Sequence, residues 1–183
     1  GLADRFILIN DDMFLGRKVY KSFFFTKDGV PIKYLRKLNR RKLFLPSNNM
    51  FFGIYKRCQL MIEEKFGEIP VTRFAHAITP YQKKSFEEVI KLFKDDVERT
   101  LSCRFRTEND VSRFLVDHYE IAVLKAPIVD IAKFWNSFVI DVDMREDTLY
   151  KFDLIEKVRP YMYCVNDTEH TTDEDRVVCR EFL

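Results

Sequence analysis

An α/β domain with a mostly parallel sheet flanked by helices is the fold this sequence predicts, and three features predict it. Short apolar runs closed by turn-forming polar residues alternate with longer stretches of three-and-four periodicity, the pattern of strands interleaved with helices. The length, 183 residues, fits one domain spanning 1–183, or at most two very small ones. The composition, 46% hydrophobic and 33% charged with only 5 Gly and 6 Pro, excludes a disordered or low-complexity chain.

Phe6-Ile7-Leu8-Ile9 is an all-apolar run and predicts a strand buried on both faces, stopped by the turn formers Asn10-Asp11-Asp12. Ser22 to Thr26 predicts a second strand, closed by Lys27-Asp28-Gly29, and Lys33 to Lys42 is a basic stretch. From Asn49 to Phe66 the apolar residues Phe52, Tyr55, Ile62 and Phe66 step by helical spacing, and Gly67 stands at the expected stop. Ser85 to Leu101 predicts one helix with Phe86, Val89, Ile90, Phe93 and Val97 on a stripe and a Ser85/Glu88 capping box. Helices are also expected from Glu108 or Asn109 to Leu124 and from Ile128 to Phe138. Tyr161 to Val165 reads as a buried strand, stopped by Asn166-Asp167, and a last helix opens near Asp173 with Val177, Val178 and Phe182.

Thirty-one basic against 29 acidic residues give a net charge of +2, so no nucleic-acid partner is indicated. No apolar run approaches the roughly 18 to 20 residues of a membrane span, and the start lacks the features of a signal peptide. The four cysteines, Cys58, Cys103, Cys164 and Cys179, are scattered without a CxxC pair, which points to a reducing compartment. A cytoplasmic protein is therefore expected, one that can lie peripherally on the inner face of the membrane through its basic stretch.

Ligands collect at the carboxyl ends of strands in such sheets, where both Asn-Asp pairs stand. Asp11, Asp12 and Asp167 either hold a divalent cation with the phosphates it bridges or cap turns. Were the two strands neighbours, about 5 Å apart, the carboxylates could share one ion. His76, in a loop-like stretch, is either a general base or a surface residue. His118 falls inside a helix as a packing residue, and His170 follows the second pair as a loop residue or outer contact. Arg104 and Arg106, at the expected helix entry, either grip phosphate or are solvated. Walker, GxGxxG, GxSxG and HExxH motifs are absent.

The run Phe6 to Arg17 with Phe23-Phe24-Phe25 and Asp28-Gly29 resembles the second conserved region of the Stealth family. His76 and the stretch Arg99 to Val111 with His118-Tyr119 resemble the third, and Tyr163-Cys164-Val165-Asn166-Asp167 the fourth. That family contains bacterial capsular-polysaccharide phosphotransferases and the animal lysosomal-enzyme N-acetylglucosamine-1-phosphotransferase. The resemblance implies a glycosyltransferase-like fold, here a fragment lacking the N-terminal nucleotide-binding part. It implies transfer of a sugar 1-phosphate from a nucleotide-sugar donor such as a UDP-sugar to a hydroxyl of a glycan or polysaccharide acceptor, releasing the nucleoside monophosphate. Carried onto this chain, it makes Asp11, Asp12, His76 and Arg106 catalytic and Asn10, Arg104, His118 and Asn166 substrate contacts. Asp12 and Asp167 become ligands of Mg²⁺ or Mn²⁺. Two other functions are open to the same sequence: a conventional glycosyltransferase releasing the nucleoside diphosphate, and a non-catalytic module that binds a polyanion or partner through Lys33 to Lys42.

Overall fold

The computed structural model describes residues 1–43, 49–134, 138–143 and 148–183. By internal contacts the chain forms two compact units. The first comprises Gly1–Ile7, Ser22–Ala75 and Thr79–Asp130, and the second Leu8–Lys21, His76–Ile78 and Ile131–Leu183.

The first unit holds β1 (Arg5–Leu8), paired with β5 (Thr79–Gln82). A separate three-stranded sheet places β3 (Lys33–Lys37) between β4 (Thr72–Arg73), antiparallel, and β6 (Ile128–Asp130), parallel. Its helices are α1 (Lys21–Phe24), α2 (Met50–Phe66), α3 (Lys83–Leu92), α4 (Lys94–Ser102) and α5 (Phe114–Val123). The expected start and stop of α2 are both visible. Asn49 accepts the Phe52 amide at 2.9 Å as N-cap, and Gly67 ends the helix at φ 83°, a left-handed value that glycine adopts without a Cβ clash. The buried side of α2 meets α5 through an aromatic cluster. Phe114 lies 4.8 Å from Tyr55 and 5.1 Å from both Phe51 and Phe74, ring centre to ring centre.

Beside that cluster lies a buried charge network. The Lys33 ammonium, wholly excluded from solvent, donates to Asp117 Oδ1 and Pro80 O at 2.9 Å each and lies 2.6 Å from Glu120 Oε2. Tyr81 donates to Asp117 Oδ2 at 3.0 Å and accepts from Arg113 at 2.8 Å. Two cations therefore face two carboxylates, which is how ions persist in a low-dielectric interior. Burial nevertheless holds the Glu120 carboxyl above its ordinary range, against the pull of Lys33.

In the second unit β8 (Met162–Asn166) is central, with β2 (Met13–Leu15) antiparallel on one side and β7 (Val139–Asp143) parallel on the other. Alternate residues of these strands point to opposite faces. One face, with Ile140, Val142, Val165, Phe14 and Tyr163, packs on α6 (Thr148–Val158) and α7 (Asp173–Phe182) through Phe152, Ile155 and Phe182. Gly16 ends β2 where the chain crosses close to its neighbour: its N–H donates to Tyr161 O at 3.1 Å, and a Cβ there would stand 2.3 Å from Pro160 O.

Several expectations are corrected. The fold is mixed α/β, but its strands form small mixed sheets, each three-stranded one with one parallel and one antiparallel pairing, in place of one mostly parallel sheet. β1 is not buried on both faces, since Ile7 and Ile9 are exposed. Ser22–Thr26 is no strand: α1 takes Ser22–Phe24, and Phe25 makes a single bridge to Pro31 around the turn at Gly29. The helix expected over Ser85–Leu101 breaks at Phe93 (φ −123°), which buries that ring and puts Asp95 and Asp96 in the first turn of α4, where the helix dipole favours them.

No capping box forms at Ser85, because α3 begins earlier, after Gln82. Ser85 bonds Glu120, and Glu88 accepts the Tyr119 hydroxyl. A capping box forms instead at Thr172 with Asp175, at the start of α7. The helix expected from Glu108 starts only at Phe114, because Asp110 binds the Thr107 amide and hydroxyl in a local turn that competes with helix. Ile128–Asp130 is strand and Ile131–Phe134 a 3₁₀ turn, while 135–137 lie outside the described residues. Within the basic stretch Lys33 is buried and Arg40 is paired with Glu63 at 2.8 Å and Glu68 at 3.3 Å, while Lys37, Arg41 and Lys42 are exposed.

His118, expected from the resemblance to touch substrate, has no exposed surface and stacks edge-on with Tyr55, 4.6 Å between centres. It is a packing residue here. Burial pushes its pKa down to about 4, outweighing the nearby Asp117 charge. An unfolded chain binds a proton at this histidine below about pH 6.5 that the folded chain refuses until about pH 4. Stability must therefore fall as pH drops through that window, by on the order of 3 kcal/mol at its lower end. Urea midpoints between pH 7 and 4 should fall less steeply in His118→Gln than in the parent chain, and equal slopes would contradict the assignment.

Candidate functional site

The sheet face of the second unit that does not meet α6 and α7 carries the chemistry. Cys164 on β8 is in register with Asp141 on β7 and with Met13 on β2, and Asp143 is in register with Asn166. Pleat alternation therefore sets Asp141, Cys164 and Asn166 in one row, opposite the apolar row of Ile140, Val142, Tyr163 and Val165. His76 reaches this unit in the short segment His76–Ile78, which is anchored by the Ile78 amide against Met162 Sδ at 3.2 Å and by burial of Ala77 and Ile78.

His76 Nδ1 lies 3.4 Å from Asp141 Oδ1, and Cys164 Sγ lies 3.5 Å from Asn166 Oδ1. The donor atoms of His76, Asp141 and Cys164 all lie within 4.8 Å of one another, so the described residues contain a group able to hold a metal ion. The His76 and Asp141 side chains are 44% and 31% exposed, which keeps the group open to solvent, whereas Cys164 is buried. The sequence reading does not include Asp141, whose signal is its place as a single acid between the apolar Ile140 and Val142 on a short strand.

Asp12 precedes β2, and its carbonyl accepts the Val165 amide at 2.8 Å, which ties the first Asn-Asp pair to the strand that ends in the second. Asp12 Oδ1 is a buried oxygen without a hydrogen-bond partner among the described residues. Asn10 and Asp11 are exposed, with Asn10 O accepting the Met13 amide at 3.2 Å in the turn. Asp167 is exposed and engaged: the Thr171 hydroxyl, then Arg176 at 3.3 Å, hold its carboxyl below the usual range. His170 is an exposed loop residue 3.5 Å from Glu169.

Arg104 and Arg106 belong to the first unit. They follow the end of α4 and do not open a helix, so the expected help from a helix N-terminus is withdrawn. Arg106 lies over the Phe51 ring at 5.5 Å and lines a depression of about 310 Å³ with Phe51, Phe105 and Val111.

A hard dication such as Mg²⁺ asks for oxygen ligands, typically one or two carboxylates plus substrate oxygens. The orphaned Asp12 Oδ1 fits that requirement. Asp167 fits it only by exchanging Arg176 for the ion. Among the described residues no helix is long and apolar enough to cross a membrane.

No family model matches the chain. Among curated proteins, it is 27% identical, over 94% of its length, to the capsular polysaccharide phosphotransferase Fcs1 of Haemophilus influenzae, covering 49% of that protein. It is 28% identical over 61% of its length to the exopolysaccharide phosphotransferase CpsY of Mycobacterium tuberculosis, covering 21%. Over 61% of its length it is 27% identical to the capsular polysaccharide phosphotransferase LcbA of Aeromonas hydrophila, covering 31%. The chain thus spans about half or less of these relatives. All three carry phosphotransferase names from polysaccharide synthesis, consistent with the Stealth resemblance.

Proposed function

We propose that the chain carries part of the catalytic centre of a sugar-1-phosphate transferase in capsule or exopolysaccharide synthesis. The observation that supports this most is convergence. The turn at Asp12, the three-residue segment of His76 and the β8 motif ending in Asn166-Asp167 are far apart in sequence yet belong to one compact unit. The phosphotransferase names of the relatives support the reaction class.

In this reading an acceptor hydroxyl attacks the phosphorus that bears the sugar. The bond from that phosphorus to the bridging oxygen breaks, and nucleoside monophosphate leaves with the electron pair. His76 takes the hydroxyl proton. His76 Nδ1 stands 3.4 Å from Asp141 Oδ1, and a proton carried on Nδ1 beside that carboxylate leaves the basic lone pair on Nε2. Asp12, with Asp11 beside it, is the residue that would hold Mg²⁺ or Mn²⁺, and such an ion when bound neutralises diphosphate charge. Asp167 joins it if Arg176 is displaced. Asn10 and Asn166 contact the donor. The donor is a UDP-sugar and the acceptor a glycan or polysaccharide hydroxyl, with the enzyme cytoplasmic and peripheral to the membrane.

The test is the nucleotide released by the full-length protein. Nucleoside monophosphate marks transfer of the sugar phosphate, and nucleoside diphosphate marks transfer of the sugar alone.

A further inference from the structure

Three side chains of different softness meet on the polar face of the β2–β8–β7 sheet: an imidazole, a carboxylate and a thiol, with donor atoms all within 4.8 Å. We infer that His76, Asp141 and Cys164 form a site for a borderline-soft divalent transition metal, zinc foremost, with three protein ligands and one open position. The inference goes beyond the transferase reading and does not depend on it.

Donor chemistry argues first. Mg²⁺ and Mn²⁺ prefer oxygen, whereas a nitrogen, sulfur and oxygen set selects zinc or its neighbours. Spacing argues next. Two bonds of about 2.1 Å at a tetrahedral angle put their donor atoms about 3.4 Å apart, and His76 Nδ1 and Asp141 Oδ1 stand 3.4 Å apart. Asp141 Oδ1 is buried without a hydrogen-bond partner among the described residues, so it has a lone pair to give.

Support comes from the strands. Cys164 and Asp141 are register partners on adjacent parallel strands, and His76 is fixed through Ile78 and Met162. Cys164 Sγ closes on the ion by turning about its Cα–Cβ bond from Asn166 Oδ1, now 3.5 Å away, and the thiol gives up its proton to solvent on binding. The part-exposed His76 and Asp141 leave the fourth position to water or an anionic oxygen. A metal on Nδ1 leaves the imidazole proton on Nε2, so metal binding and general-base action of His76 exclude one another.

The test titrates the 183-residue chain with Co²⁺, then displaces it with Zn²⁺, with neither donor nor acceptor present. The expected result is one equivalent of Co²⁺ with a near-ultraviolet thiolate charge-transfer band and tetrahedral visible bands, bleached by Zn²⁺ and untouched by excess Mg²⁺. Cys164→Ser should remove the charge-transfer band, and Cys103→Ser, which alters an exposed thiol of the other unit, should keep it. His76→Gln and Asp141→Asn, both at part-exposed positions, should each weaken Zn²⁺ binding at least tenfold and settle the matter if Cys164→Ser fails to fold. Absence of the band, its survival in folded Cys164→Ser, or displacement by Mg²⁺ would overturn the site. Because no turnover is measured, that failure would leave the transferase test untouched, and a failed transferase test would leave this one standing.

Discussion

Replacing His76 by alanine in the full-length protein is expected to lower turnover by roughly 100- to 10,000-fold, the range for loss of a positioned general base. A base in the proposed role acts in the chemical step, so the loss should fall on kcat, with KM for the donor nearly unchanged. Fold should be little affected, since the side chain is 44% exposed and its segment is anchored by Ile78 instead. His76→Gln keeps the shape but accepts no proton at neutral pH, so it should fail equally. Steady-state release of nucleotide, with circular dichroism as a control for fold, makes the comparison. A kcat within threefold of the parent would remove His76 from the reaction.

The second large effect is on stability. Lys33→Met should destabilise the chain by about 3 to 5 kcal/mol, the range for removing one partner of a buried ion pair. Methionine fills the space of the lysine stem but leaves Asp117 and Glu120 facing each other with Arg113 as the remaining cation, 3.7 Å from Asp117. Glu120, whose carboxyl burial already pushes upward, would be left to protonate. Adding Glu120→Gln to Lys33→Met should recover part of the loss, because one of the uncompensated charges disappears. Urea midpoints of the single and double variants measure both effects. A single variant as stable as the parent would show that the network is not the clamp between α5 and strands β3 and β5.

That network also shows where sequence reading stops. Lys33 opens a run of six basic residues, and nothing local distinguishes it from its solvated neighbours. Its burial is decided by Asp117 and Glu120, more than eighty positions on, so only the tertiary fold carries the information. Elements with local signals were legible. The capping Asn49 and the stop at Gly67 bound α2, and the apolar run around Cys164 gave β8. Ser85 and Glu88 misled for the opposite reason: their spacing matches a capping box, yet long-range partners on α5 claim both side chains.

The candidate site divides along the same line. Asp12, His76 and the residues from Cys164 to Asp167 stand in recognisable motifs. Asp141 belongs to a five-residue strand too short for its period to stand out, and its nearness to His76 depends on register with β8. The pairing of Asp167 with Arg176 depends likewise on how α7 folds back after β8.

The most direct measurement follows the phosphorus. A UDP-sugar labelled in the phosphate next to the sugar is given to the full-length protein with Mg²⁺ and a glycan acceptor. Transfer of the sugar phosphate moves the label to the acceptor and releases unlabelled UMP, and both products should vanish with Asp12→Asn. Label recovered in UDP, with only the sugar on the acceptor, would overturn the phosphotransferase assignment.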